Sequence, residues 1–268
     1  MPDIQLNGHR LHYTDQGQGP AVLLIHGLGS SSLDWEYQLP ALTQDYRVLT
    51  LDMLGHGQSD KPIHGYSIQA FADDTLAFIQ HMALHQPHIV GISMGGMIAF
   101  QLAVDHPDIP ASLTIINSGP EVVPRSFADY RMAAKRLFFA HILPLKTVSR
   151  GLARLLFPQA DQAELRSKFE QRWQTNFRPA YLASLRAIVG WSVRDRLALI
   201  QCPVLVVCAD QDYTPVEQKE VYVNELANAQ LEVITNSRHA TPVDQPEVFN
   251  QLLLDFLARQ ATSDQPSP

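Results

Sequence analysis

The sequence predicts an α/β protein: a mostly parallel, eight-stranded sheet with helices on both faces and a helical segment inserted into it. Three observations lead there. Short apolar runs alternate with stretches of helical periodicity along most of the chain. The runs are continuously apolar rather than alternating, the pattern of strands buried on both faces. One long interval, 121–199, holds no strand-like run at all.

The elements follow in order. The opening segment DIQLNGHRLHYTDQ places Asn7-Gly8 between two strand-like runs, a strong hairpin signal. AVLLIHG, YRVLTLD, PHIVGIS, ASLTIINSG, CPVLVVCAD and QLEVITNS supply the other six strands. A helix is expected from Ser67, a good N-cap, because Ile68, Phe71, Ala72, Leu76, Ile79 and Met82 repeat every three or four residues. A second helix follows Ser93 directly, and PVEQKEVYVNELA and PEVFNQLLLDFLARQ supply two more. Inside the insertion, FADYRMAAKRLFFAHILPL, TVSRGLARLLF, DQAELRSKFEQRWQTNF and PAYLASLRAIVGW read as helices punctuated by Pro144, Pro158 and Pro179. The expected organisation is a core domain from 1–120 and 200–260, a helical cap from 121–199, and a polar, Pro-containing disordered tail at 261–268.

Composition narrows the function. A chain of 268 residues, 46% hydrophobic and 18% charged, can bury a sizeable core. Its net charge of -7, with Lys and Arg scattered, argues against a nucleic-acid partner. The N-terminus lacks the layout of a signal peptide, and no apolar run approaches the length of a membrane span. A cytoplasmic protein without an integral membrane segment is therefore expected. Cys202 and Cys208 flank PVLVV; on one extended strand they lie roughly 20 Å apart, too far for a disulfide, and read as buried reduced thiols. His81, His85 and His88 lack the glutamate of a zinc-binding helix and read as a solvated helix end rather than a metal site.

The chemistry gathers at Gly91-Ile92-Ser93-Met94-Gly95, a G-x-S-x-G that ends an apolar run and opens a helix. Such a turn is tight enough to strain the serine backbone, and side chains at Gly91 and Gly95 would collide with neighbouring backbone. A serine hydroxyl needs a base, and the base needs an orienting acid. The later part of the chain offers both at strand ends: Asp210 and Asp212 after CPVLVVCAD, then His239 after QLEVITNS. Open parallel sheets place ligands at those carboxyl ends.

These residues resemble the α/β-hydrolase family. HGLG at 26–29 resembles its oxyanion loop, DMLGHGQSDKP its D-x-x-G-x-G-x-S segment, GISMGG its nucleophile elbow, ADQDYTP its acid loop and RHATPVDQPEVF its histidine loop. The likeness runs from about Ile4 to Ala258, with the helical insertion in the position of a cap. It departs at Arg238 and Ala209, where the family often has Gly, and Arg238 is placed to alter the mouth of the site. The resemblance implies a triad of Ser93, Asp212 and His239, with Asp210 bracing the acid loop, His26 shaping the oxyanion loop and His56 bracing its own. It implies oxyanion donors at the amides of Leu28 and Met94. Trp35, Phe138, Phe139, Trp173 and Phe177 are candidate substrate contacts, the cap stripe Trp173, Phe177, Tyr181, Leu185 and Ile188 favouring small to medium apolar groups.

The expected reaction is cleavage of a carboxylic ester through an acyl-enzyme, with no cofactor and no metal. A lactone of the enol-lactone type or a carbon–carbon bond is the alternative substrate. A non-catalytic ligand-binding protein on the same fold is the rival from another class.

Overall fold

A computed structural model describes residues 2–263. Eight strands form one sheet in the order β1-β2-β4-β3-β5-β6-β7-β8. They are β1 Asp3–Leu6, β2 His9–Gln16, β3 Ala21–Ile25, β4 Arg47–Leu51, β5 His88–Ile92, β6 Ser112–Ile116, β7 Val204–Ala209 and β8 Ala229–Ile234. From β4 to β8 the pairing is parallel; β1 and β2 are antiparallel to their neighbours. The hairpin turn sits at Asn7-Gly8, both with positive φ (49° and 83°), the backbone a two-residue turn of this hand requires.

The helices are α1 Leu39–Leu42, α2 Ile68–His81, α3 Met94–Asp105, α4 Phe127–Ile142, α5 Leu145–Leu156, α6 Ala163–Trp173, α7 Arg178–Ile188, α8 Val216–Val223, α9 Thr241–Asp244 and α10 Pro246–Ser263. Ser67 caps α2 by accepting from the Ala70 amide. One face of the sheet is covered by α2, α3 and α8 through Phe71, Phe78, Ile98, Phe100 and Tyr222. The other is covered by α1 and α10 through Leu42, Phe249, Leu253, Phe256 and Leu257. Because both faces are covered, β3, β5, β6 and β7 are buried along almost their whole length.

Between β6 and β7 come α4 to α7, with a small core of their own around Ala140, Trp173, Tyr181, Leu182 and Leu185. The two ends of this insertion are tied together: the Val122 amide donates to Trp191 O and the Gly190 amide to Val122 O, each at 2.8 Å, and the Val193 amide donates to Pro120 O. The apolar stripe read through Trp173 and Phe177 is two helices rather than one. α6 ends at Trp173, and Phe177 is the N-cap of α7, whose second residue is Pro179.

Three local expectations are corrected. His88 is not at a solvated helix end; it opens β5, is buried, and its Nδ1 lies 2.8 Å from Ser112 Oγ. Cys202 precedes β7 rather than lying on it, and both cysteines are free thiols pushed up to about 12 by burial. α10 continues to Ser263, into the segment expected as tail; the rest of that expected tail, 264–268, lies outside the described residues. Among the described residues no helix is long and apolar enough to cross a membrane, and no group of side chains is arranged to hold a metal ion.

The sheet and α3 meet backbone against backbone at the elbow. A Cβ at Gly95 would lie 2.1 Å from the Ile25 carbonyl oxygen, and one at Gly91 2.3 Å from the Gly95 carbonyl oxygen. Gly151, inside α5, has open space instead. Gly95→Ala should therefore cost more than about 4 kcal/mol, or prevent folding, whereas Gly151→Ala should add about 0.5–1 kcal/mol. Urea unfolding midpoints of the two variants measure this contrast.

Candidate active site

The site is built at the carboxyl ends of β3, β5, β6, β7 and β8. Ser93 stands between β5 and α3 with φ 54° and ψ -116°, a conformation that costs an L-residue of order 1–3 kcal/mol. The turn is held on both sides: the Ser93 amide donates to Ile116 O at 2.9 Å, and Ser118 Oγ donates to Ser93 O at 2.7 Å. Gly96 allows the second contact, since a Cβ there would lie 2.6 Å from Ser118 Cβ.

His239 and Asp212 come together from different loops. His239 Nδ1 donates to Asp212 Oδ1 at 2.8 Å, which fixes the tautomer that leaves Nε2 with its lone pair. Asp212 is completely buried. Its Oδ1 also accepts from the Tyr213 amide, and its Oδ2 accepts from Thr214 Oγ1 and from Lys219 Nζ at 2.9 Å. Burial pushes the carboxyl up, but the hydrogen bond and charge of His239, with the Lys219 ammonium, outweigh it and hold it down at about 2.

The second aspartate has a different task. Asp210 Oδ1 accepts from the Ser237 amide at 3.1 Å, linking the acid loop to the histidine loop. Asp244 holds the other side of that loop, accepting from the Arg238 amide and Ser237 Oγ. Asn117 joins all of it: its Oδ1 accepts from Ala209 N, and its Nδ2 donates to His239 O at 3.0 Å and Thr241 Oγ1 at 2.7 Å. Asn117, Tyr213 and Lys219 were not singled out in the sequence. Only the placement of Asn117 at a strand's carboxyl end, and of Tyr213 and Lys219 beside the acid, offered a signal.

Tyr213 occupies an unexpected place. Its ring stacks on His239 with centroids 4.1 Å apart, and its hydroxyl donates to His239 Nε2 at 2.5 Å. Ser93 lines the same cavity as Tyr213 and His239. Although half of the Tyr213 side chain is exposed, desolvation of its hydroxyl in the cavity keeps the phenol above its ordinary value, so it is a neutral donor.

The loop after β3 borders the serine. A Cβ at Gly27 would contact Ser93 Cβ at 3.4 Å, and Leu28 lines the same cavity as Ser93. Met94 opens α3, so its amide has no partner one turn back in the helix. Behind this loop, His26 Nδ1 donates to Gly27 O, and its Nε2 accepts from Met53 N at 3.0 Å. Asp52 accepts from Ser32 N and Gln58 N, so the D-x-x-G-x-G-x-S segment braces the loop from below. His56 Nδ1 donates to Leu54 O.

A cavity of about 610 Å³ opens above Ser93 and His239. Met97, Val122, Val123, Met132, Leu185 and Ile188 give it apolar walls. The aromatic residues expected there are elsewhere. Trp35 is buried under the sheet against Val22, Leu24 and Phe249, because the turn that carries it folds back beneath β3. Trp173 is buried too, its indole edge over Gly29 and its ring against Tyr181, where it seats the insertion on the loop after β3. Phe138, Phe139 and Phe177 are exposed and line no part of this cavity. Arg238 does not line it either; its backbone is held by Asp244.

Comparison with known proteins shows the family to which this fold belongs. The model of the alpha/beta hydrolase fold matches residues 20–246. The chain belongs to the α/β-hydrolase family. A protein of Stutzerimonas stutzeri named carbamate hydrolase RutD is similar to this α/β-hydrolase, 30% identical over 94% of this chain and 97% of its own. An esterase from Exiguobacterium antarcticum superposes with a TM-score of 0.89 at 25% identity, over 96% of this chain and 98% of its own. An enol-lactonase from Burkholderia xenovorans shares the fold, with a TM-score of 0.88 at 23% identity over 96% of this chain and 100% of its own.

Two buried imidazoles make this α/β-hydrolase sensitive to acid. Burial pushes His26 below its ordinary value and His56 down to about 3. At His56 the unfolded chain binds, between about pH 6.5 and 3, a proton that the folded one refuses, and His26 acts in the same direction. Their stability is therefore fully present above about pH 6.5 and lost as pH falls. Asp244, raised to about 6 by burial, acts in the opposite sense below that pH. Replacing His56 by Asn should flatten the decline of the urea midpoint between pH 6.5 and 4, measured against the parent.

Proposed function

We propose that this hydrolase cleaves carboxylic esters through an acyl-enzyme on Ser93, with His239 as the base and Asp212 as its orienting acid. The observation that carries the reading is the Asp212–His239 hydrogen bond beneath a cavity that His239, Tyr213 and Ser93 all line. In this reading residues 121–199 are a cap over a core of 1–120 and 200–260, and the cap supplies Met132, Leu185 and Ile188 to the cavity wall.

The steps follow from the geometry. Asp212 holds Nδ1–H, so Nε2 is free to take a proton once the Tyr213 hydroxyl swings off it. Tyr213 is half-exposed on the cavity side and has room to do so. Ser93 Oγ then attacks the carbonyl carbon while its proton passes to Nε2. The oxyanion is received by the amides of Leu28 and Met94, each worth about 3 kcal/mol. His239 returns the proton to the leaving alkoxide, and water repeats the sequence to release the acid. Lys219 offsets the charge of Asp212 in a site that excludes water, and it stiffens the acid loop through Thr214.

A carbamate carbonyl is attacked by the same steps, and the similarity to the protein named carbamate hydrolase makes it the second substrate to assay. The enol-lactone-type reading rests on fold likeness alone.

Ser93→Ala should lower turnover of p-nitrophenyl butyrate about a millionfold with an unchanged melting temperature. Retention of a tenth of the rate would remove Ser93 from the mechanism. Asp212→Asn should cost about four orders of magnitude, and Asp210→Asn far less; steady-state kinetics on both rank the acids. Tyr213→Phe keeps the ring but removes the hydroxyl from Nε2, a hydrogen bond of about 1 kcal/mol. Labelling of Ser93 by phenylmethylsulfonyl fluoride should then run several-fold faster.

A further inference from the structure

Beyond the apolar walls, the cavity carries one cation whose charge no carboxylate answers among the described residues. Six charged side chains line it: Glu121, Arg125, Asp129, Arg136, Arg194 and Lys219. Five are accounted for. Arg125 and Arg194 both pair with Glu121, and Arg194 also with Glu225. Asp129 closes the capping box of α4, accepting from the amides of Arg125 and Ser126. Lys219 is held by Asp212. Arg136 has no carboxylate within ion-pair distance among the described residues, in a chain whose net charge is -7.

Its place on the helix is specific. Asp129, Met132, Ala133 and Arg136 are spaced three, four and seven residues apart, a single stripe of α4, and all four line the cavity. Met132 and Arg136 are exposed at the rim of the cavity, whereas Phe138, two residues on, does not line it. The stripe offers a methionine, a methyl group and then a guanidinium. The field of that guanidinium reaches the Tyr213 hydroxyl, which itself touches His239 Nε2. A cation so placed acts on a substrate bound over Ser93, and a guanidinium matches a carboxylate in shape as well as charge.

We propose that Arg136 is a substrate-binding residue that receives a carboxylate, so that the preferred substrates are esters of dicarboxylic acids, or carboxylate-bearing lactones, with a short methylene chain between the scissile carbonyl and the anion. The methylenes lie along Met132, Leu185 and Ile188. This rests on the ester-hydrolase reading above and deepens it.

The test compares monomethyl succinate, glutarate and adipate with methyl butanoate, pentanoate and hexanoate, followed by proton release. For the parent enzyme kcat/KM should favour the anionic member of at least one pair. Arg136→Met should lower that anionic-to-neutral ratio about tenfold, the worth of one charged hydrogen bond; Arg136→Lys should retain most of it, and added salt should weaken it. A parent ratio of one or less in every pair, or a ratio unmoved in Arg136→Met, overturns the proposal while leaving ester hydrolysis standing. If no ester is turned over, the ester reading fails, and the anion contact is then judged by binding. Ser93→Ala protein should bind monomethyl adipate more tightly than methyl hexanoate by ligand-observed NMR, and adding Arg136→Met should abolish the difference. Equal binding would refute it.

Discussion

The backbone of α3 lies directly on the backbone of β3, and the rest of the site depends on that contact. The Ile25 carbonyl oxygen is where a Gly95 side chain would have to be, and the Gly95 carbonyl oxygen is where a Gly91 side chain would have to be. With no Cβ between them, β5 can turn into α3 within one residue, and Ser93 is left at positive φ above the sheet edge. The strain is held by ordinary bonds from β6 and the segment after it, through Ile116 O and Ser118 Oγ. The same turn aims the first amides of α3 at the cavity, where the macrodipole of the helix favours negative charge.

Around this rigid point the acid and base loops are tied to each other rather than to the serine. Asn117 spans the ends of β6 and β7 and the histidine loop, while Asp210 and Asp244 hold that loop from either side. A buried asparagine suits the task because its amide both donates and accepts, so one side chain satisfies several backbone groups that would otherwise be left unpaired. Asp212 is placed in the same way, with four donors on two oxygens. A carboxylate so fully engaged does not need water, and the loop that carries it has little freedom to drift from His239.

The insertion is joined to the core through its rim. Trp173 rests on Gly29, Asn176 donates to Gly29 O at 2.7 Å, and Arg172 and Lys168 pair with Glu36. The helices over the cavity are thus anchored to the loop that borders Ser93. The large aromatic side chains serve this anchoring or face outward, and aliphatic and charged residues are left to face the substrate.

How much of this was legible in the sequence depends on the range of the interaction. The order of strands and helices, the Asn7-Gly8 turn, the Ser67 cap and the tight turn at Ser93 come from neighbours in the chain. They are decided by periodicity, capping and steric limits that act over a few residues. Ser93, Asp210, Asp212 and His239 were legible as candidates because each falls near a strand's carboxyl end, where a parallel sheet gathers its loops; the preference for Asp212 over Asp210 came from the family resemblance. The lining of the cavity was not. Trp35, Phe138, Phe139, Trp173 and Phe177 have the composition of a pocket, yet which way each side chain points is set by packing between segments far apart in sequence. Trp35 turns under β3, and Trp173 meets Gly29 only once the insertion is folded over. The placement of the Tyr213 hydroxyl on His239, and the unanswered charge of Arg136, likewise exist only after β7, β8 and α4 have been brought to one cavity. The sequence by itself determined the fold and the strand ends at which Ser93, Asp212 and His239 stand, because local geometry dictates both. The tertiary structure alone decided what those groups face, because side-chain direction in a packed interior is a property of the neighbours.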